Sequence, residues 1–208
     1  VDALIDDEIK NHYTGTIVIY QNENKPTQNY GVKRLEIVDI VDGQQRLTTC
    51  CLYLSIIINE LINNGLPEFE NEKPIYLYHG AKCKLQLNND TVNFFFDLLT
   101  KGTTNTVAST VHQKRLNKAY DHLKNHIVNQ LKTKANPNEY LQDLFDAITR
   151  KLNFTFYKIE KESEIGMTFE LMNSRGQDLS ILELLKNYLM HWIYRNIGQK
   201  NEQEDLTS

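Results

Sequence analysis

The chain has 208 residues, 40% of them hydrophobic and 24% charged, with a formal net charge of -4. That composition excludes wholesale disorder, and the mild acidity excludes a polybasic binder that holds nucleic acid by bulk charge alone. No apolar run approaches the roughly 20 residues that span a bilayer, and no secretory pattern opens the chain.

The cysteines are Cys50, Cys51 and Cys83, an odd number with two adjacent, which does not make a disulfide framework. The expectation is a reduced, cytoplasmic protein with no membrane partner. The chain begins with Val1 and not Met, which reads as a trimmed start.

In chain order, the β-branched and aromatic run Thr16–Tyr20 (TIVIY), preceded by Gly15, predicts a strand. Glu36–Val41 (EIVDIV) predicts a second, joined to the first by a polar, hairpin-like connection. From Gln44 the period changes: Leu47, Cys50, Cys51, Leu54, Ile57, Ile58 and Leu61 share one helical face. Leu52 and Ile56 make the other side apolar too, as in a buried helix, which Asn63-Asn64-Gly65 ends. Ile75–Tyr78 and Lys84–Leu87 are short strand candidates, and Thr91–Leu99 reads as a short helix.

A long helix is predicted over Val111–Leu131, with Leu116, Ala119, Tyr120, Leu123, Ile127 and Leu131 in register. Pro137 opens another that runs through Ile148. Asn153–Ile159 alternates as a strand does, and Glu162–Met172 is helical in pattern. A polar turn follows at Asn173–Leu179, and Ser180 with Glu183 forms a capping box for a last helix. The polar tail from 201 to 208 is expected to fray. Early strands followed by dominant helices give an α+β chain, a small mixed sheet with a larger helical part.

Two polar turns carry chemistry. In IVDGQQRLTT, Ile40 to Thr49, a strand runs through Gly43 into a helix, whose first N–H groups lack intrahelical partners. The helix dipole adds partial positive charge there, and phosphate is the usual guest. Gly43 permits a tight turn, and Arg46 can grip a phosphate through two parallel hydrogen bonds. Gln44 and Gln45 offer donors and acceptors to a base, a sugar or a water. Asp42 can cap the helix, orient Arg46 or hold a metal ion. The blander reading is an ordinary Asp-Gly turn with a solvated helix start. In FELMNSRGQDLS, Phe169 to Ser180, a second turn again sets an amide, an arginine and a glycine near a helix start.

IVDGQQRLTT followed downstream by FELMNSRGQDLSILELLKNYL resembles the family of bacterial proteins marked by Asp-Gly-Gln-Gln-Arg. That family includes the S part of GmrSD-type modification-dependent restriction enzymes, which serve in phage defence. The resemblance runs from the TGTIVIY strand to about Tyr188. It implies a ParB/sulfiredoxin-like, nucleotide-binding core over residues 1–100. A helical region over 101–200 follows, its NSRG turn packing back on the core.

The same resemblance implies nucleoside triphosphate as substrate or ligand, with Mg2+, and restriction of modified DNA. Carried over residue by residue, Asp42, Gln44, Gln45 and Arg46 are the candidate catalytic positions. Gly43, Arg46, Thr48, Asn173, Arg175, Gly176 and Lys186 are the candidate phosphate-binding ones, and Asp42 is the candidate Mg2+ ligand. Expected partners are modified DNA and a His-Asn-His nuclease domain, C-terminal or separate, with oligomers possible. Members usually carry an Ile-Pro-x-Tyr-Gln-Arg-like segment ahead of the first strand, and this chain starts after that point. Three functions fit: a sensor that hydrolyses a nucleoside triphosphate, a non-catalytic DNA- or phosphate-binding module, and a nuclease acting at the DGQQR pocket.

Two other groupings stand out. His122 and His126 have a zinc-like spacing but no third ligand in view. Lys114, Arg115, Lys118 and Lys124, with Lys132 and Lys134, make the long helix basic, either as a solvated face or as a DNA-backbone face.

Overall fold

The computed structural model describes residues 11–21, 27–30, 32–87, 90–104 and 106–168. Contacts divide the chain into two units, Val1–Gly15 with Gln45–Phe154 and Thr16–Gln44 with Thr155–Ser208. The architecture is α+β and mostly helical.

The three-stranded sheet has β1 (His12–Tyr20) at its centre, between β4 (Asp39–Asp42) and β7 (Leu152–Ile159). Consecutive strand residues point to opposite faces. Ile17 and Val18 are nonetheless both at most 1% exposed, so this strand is covered on both sides at that point. β1 begins earlier than TIVIY alone implies, because the pairing extends back through Gly15 to His12. β4 begins three residues later than EIVDIV, at Asp39.

β1 and β4 are antiparallel, with Val18 opposite Asp42 but Ile19 opposite Ile40. One extra residue, Val41, therefore sits in β4, a bulge of the kind that bends a strand and ends its pairing. Between these strands the polar connection forms a hairpin of its own, β2 (Gln28–Tyr30) with β3 (Lys33–Leu35).

The helical unit is built around α1 (Gln44–Asn63). Every residue from Leu52 to Ile58 is buried, as the all-round apolar pattern requires. The helix closes in a Schellman arrangement: the Leu66 N–H donates to the Leu61 carbonyl and the Gly65 N–H to that of Ile62. Leu61 and Leu66 both join the core, completing the apolar contact that accompanies this closure.

α3 (Val92–Lys101), α4 (Val111–Leu131) and α5 (Pro137–Asp146) supply the rest of the core through Phe95, Leu98, Leu99, Tyr120, Ile127, Leu141 and Leu144. Each fully buried aliphatic side chain of this kind contributes roughly 1.5–3 kcal/mol. Thr110 caps α4 in a complete capping box with Gln113, and Asn136 caps α5 ahead of Pro137. A five-residue π-helical segment, Ala147–Lys151, then leads into β7.

Two short segments differ from expectation. Ile75–Tyr78 is not one strand: α2 (Glu72–Tyr76) takes its first half, and only Tyr78–His79 pairs, as β5 with β6 (Lys82–Cys83). The reason is spacing. Lys73 and Leu77 are buried four residues apart, and Tyr76 meets Phe145 edge-on at 5.7 Å, while Ile75 points outward. That is a helical pattern, which a four-residue apolar run does not disclose. Lys84–Leu87 pairs with no strand, because the two-residue ladder ends at Cys83. The expected helix Glu162–Met172 opens as a 3-10 turn, Glu162–Glu164, and is helical through residue 168. The rest of it, the turn Asn173–Leu179, the last helix and the tail lie outside the described residues.

Candidate anion site at the DGQQR turn

β4 ends at Asp42 and α1 begins at Gln44, so Gly43 alone makes the turn. Gly43 is buried and has φ 93°, a backbone state that side chains disfavour. Its neighbour in the sheet leaves no room either: a Cβ would overlap the Cδ1 methyl of Ile17 and lie 3.3 Å from its Cα. Glycine is thus required here twice over.

The Gln44 side chain folds back, Nε2 donating to the Ile40 carbonyl at 2.7 Å. This donor braces the turn, on the strand side of the bulge. Asp42, the last residue of β4, is half-buried.

Within the helical unit, Gln45 is exposed and Arg46 and Thr48 are half-buried. The Gln45 carbonyl accepts from Thr49 Oγ1 at 2.8 Å. The Arg46 guanidinium lies flat against β1 at Gly15, where a Cβ would sit 3.2 Å from Nη1 and 3.3 Å from Cζ. Gly15 also has φ 112°. It belongs with the candidate site, although by sequence it only precedes the TIVIY run as a strand boundary. The available signal was a glycine inside a β-rich run, which often marks a close approach by another group. No acidic residue stands in the first turn of α1, so the positive end of the helix dipole is not neutralised from within its own turn.

Asn173, Arg175, Gly176 and Lys186 lie outside the described residues. The cysteines are not poised as nucleophiles. Burial raises the Cys50 thiol, and Cys51 is pushed up to about 12, by burial first and then by the Cys50 and Cys83 sulfurs. Burial takes Cys83 to about 11. All three are therefore neutral thiols near neutral pH.

His122 is exposed and His126 half-buried on α4. Among the described residues no three His, Cys, Asp or Glu side chains gather as a metal-binding group. Mg2+ makes a smaller demand, since one or two carboxylates with phosphate oxygens and waters suffice. A half-buried carboxylate at the end of β4 fits that donor set, and Asp42 is the residue that would hold the ion.

No described helix is long and apolar enough to cross a membrane. No curated protein matches the chain significantly. Residues 1–190 match the family model described as GmrSD restriction endonuclease, N-terminal domain, a span that includes both the DGQQR and the NSRG strings. The chain belongs to the family of GmrSD restriction endonuclease N-terminal domains.

Proposed function

We propose that this domain binds a nucleoside triphosphate at the DGQQR turn and is the nucleotide-hydrolysing sensor of a cytoplasmic restriction protein that acts on modified DNA. The observation that carries the reading is the placement of Arg46. Its guanidinium lies over Gly15 in the first turn of a 20-residue helix that has no acid in that turn. A guanidinium at the positive end of a helix dipole is suited to a phosphate oxygen.

Gly43 contributes by permitting the tight turn that brings the start of α1 to the phosphate, Thr48 adds a hydroxyl, and Gln44 braces the turn through the Ile40 carbonyl. Gln45, exposed, reaches a base, a ribose or the attacking water. Asn173, Arg175, Gly176 and Lys186 are the further phosphate-binding residues of this reading. Asp42 would hold Mg2+, which would supply charge neutralisation at the phosphate and orientation of a water.

The test is a thermal-shift panel of GTP, ATP, CTP and UTP with Mg2+, followed by phosphate-release assays with and without DNA. At least one nucleotide should raise the unfolding temperature by several degrees. Arg46→Ala should abolish that rise and leave the nucleotide-free unfolding temperature close to wild type. No rise with any nucleotide, or an undiminished rise in Arg46→Ala, overturns the assignment.

A further inference from the structure

Helix α4 carries a row of exposed cations. Lys114, Arg115, Lys118 and His122 are all exposed and recur at three- and four-residue steps. They form one stripe that continues through exposed Asn125, Asn129 and Lys132. The opposite side of the helix is the buried one, with Gln113, Tyr120 and Ile127. From residue 114 to residue 132 the stripe is about 27 Å long at 1.5 Å per residue.

Four Lys or Arg residues stand on α4 against one acid, Asp121, whose carboxylate accepts from Asn117 Nδ2 at 3.0 Å. Several cations elsewhere in the described chain have partners. Lys73 pairs with Glu70 at 2.8 Å, Lys101 with Asp97 at 2.6 Å and Arg150 with Asp146 at 3.4 Å, while Lys134 lies over the Tyr140 ring. No described carboxylate pairs with Lys114, Arg115 or Lys118. Like charges one turn apart weaken a helix, so this arrangement costs stability. It does so in a chain whose net charge is -4. General solubility does not call for it.

The N-terminus of α4 is engaged by its own capping box. Gln113 N–H donates to Thr110 Oγ1 at 3.2 Å, and Gln113 Oε1 accepts from the N–H groups of Ser109 and Thr110 at 2.9 and 3.4 Å. The row of cations runs along the exposed side of the helix. A linear row of cations fits a linear polyanion and not a single phosphate.

We infer that the outer face of α4 lies along the phosphate backbone of duplex DNA. Lys114, Arg115, Lys118 and Lys132 contact phosphates. Asn125 and Asn129 donate amide hydrogen bonds to the same strand. Lys132 Nζ already donates to Asn129 Oδ1 at 3.1 Å and keeps two further N–H groups for phosphate. Contacts of this kind position a protein on DNA without reading its sequence. Duplex DNA is favoured over other polyanions because the family is one of restriction endonucleases. The proposal does not depend on a nucleotide at the DGQQR turn.

The test is fluorescence anisotropy of the full chain with a labelled 20-base-pair duplex between 50 and 200 mM salt. Four phosphate contacts give a slope of log K against log salt of about -3.6, a loss of about a hundredfold over that range. Lys114→Ala with Lys118→Ala should lower the slope by about two units and weaken every duplex alike. Lys114→Glu with Lys118→Glu should abolish binding, with the helical circular dichroism unchanged. Arg46→Ala, which loses nucleotide under the preceding proposal, should retain duplex binding, so the two readings fail separately. The inference is overturned if the duplex does not bind at 50 mM salt, or if the charge-reversed variant binds as wild type does. It is also overturned if polyglutamate competes as well as DNA per charge, which would make the face a protein-docking surface.

Discussion

The guanidinium of Arg46 lies where a side chain on Gly15 would begin, its Nη1 3.2 Å from the missing Cβ. The arginine of the DGQQR motif thus rests on a strand residue 31 positions earlier in the sequence (46 - 15). Gly15→Ala should displace it. Part of the cost is backbone strain at φ 112°, about 1–2 kcal/mol, seen as a lower unfolding temperature. The other part is functional: nucleotide affinity should fall. In an Arg46→Ala background the same substitution should lower the unfolding temperature again but change affinity no further. A full second loss of affinity in the double variant would show that Gly15 acts by some other route.

Gly43 makes the sharper steric prediction. Gly43→Ala should destabilise by about 3 kcal/mol, combining left-handed strain with overlap onto Ile17. Ile17→Val removes the overlapped Cδ1 and by itself costs about 1 kcal/mol. The double variant should be less destabilised than the sum of the two, measured by urea unfolding. Simple additivity would mean that strain alone accounts for the glycine.

Ser55 is buried in α1, and its Oγ donates to the Leu99 carbonyl at 2.9 Å, near the C-terminal end of α3. Ser55→Ala leaves a buried carbonyl short of a donor and should cost about 1–2 kcal/mol. For a chain of this size that is a fall of roughly 2–8 °C in unfolding temperature. An unchanged unfolding temperature would mean that another group satisfies Leu99.

Stability should also fall in alkali. Cys51 and Tyr120 are each pushed up to about 12 and Cys83 to about 11, with burial the largest cause in every case. These groups are neutral when protonated, and folding holds the proton more tightly than the unfolded chain does. Their contribution is fully present below pH about 9, the unfolded thiol value, and is lost as pH rises towards 11 to 12. Unfolding temperature measured from pH 8 to 11.5 should decline progressively above 9. Cys51→Ala with Cys83→Ala should flatten part of that decline. An identical pH dependence in the double variant would remove the thiols from the account.

Local pattern carried much of the architecture. Val111–Leu131 is helical over the expected bounds, because Thr110 can cap it and its apolar residues keep one period throughout. The change from alternation to helical period at Gly43 marks where β4 gives way to α1. Both are short-range effects, written into neighbours three or four residues apart. The short runs near 75 and 84 were not legible, because four apolar residues serve a strand or a helix turn equally until a partner such as Phe145 selects one.

The DGQQR string was visible as a polar turn between a strand and a helix, and with NSRG it pointed to the family that residues 1–190 match. Its internal arrangement was not visible. That Gln44 spends a donor on Ile40, that Ile17 fills the space above Gly43 and that Arg46 rests on Gly15 all depend on which backbone stands nearby. Period and propensity act along the chain and are readable from it. Close approach between segments far apart in sequence is settled by packing, and a glycine records it only as a side chain that is missing.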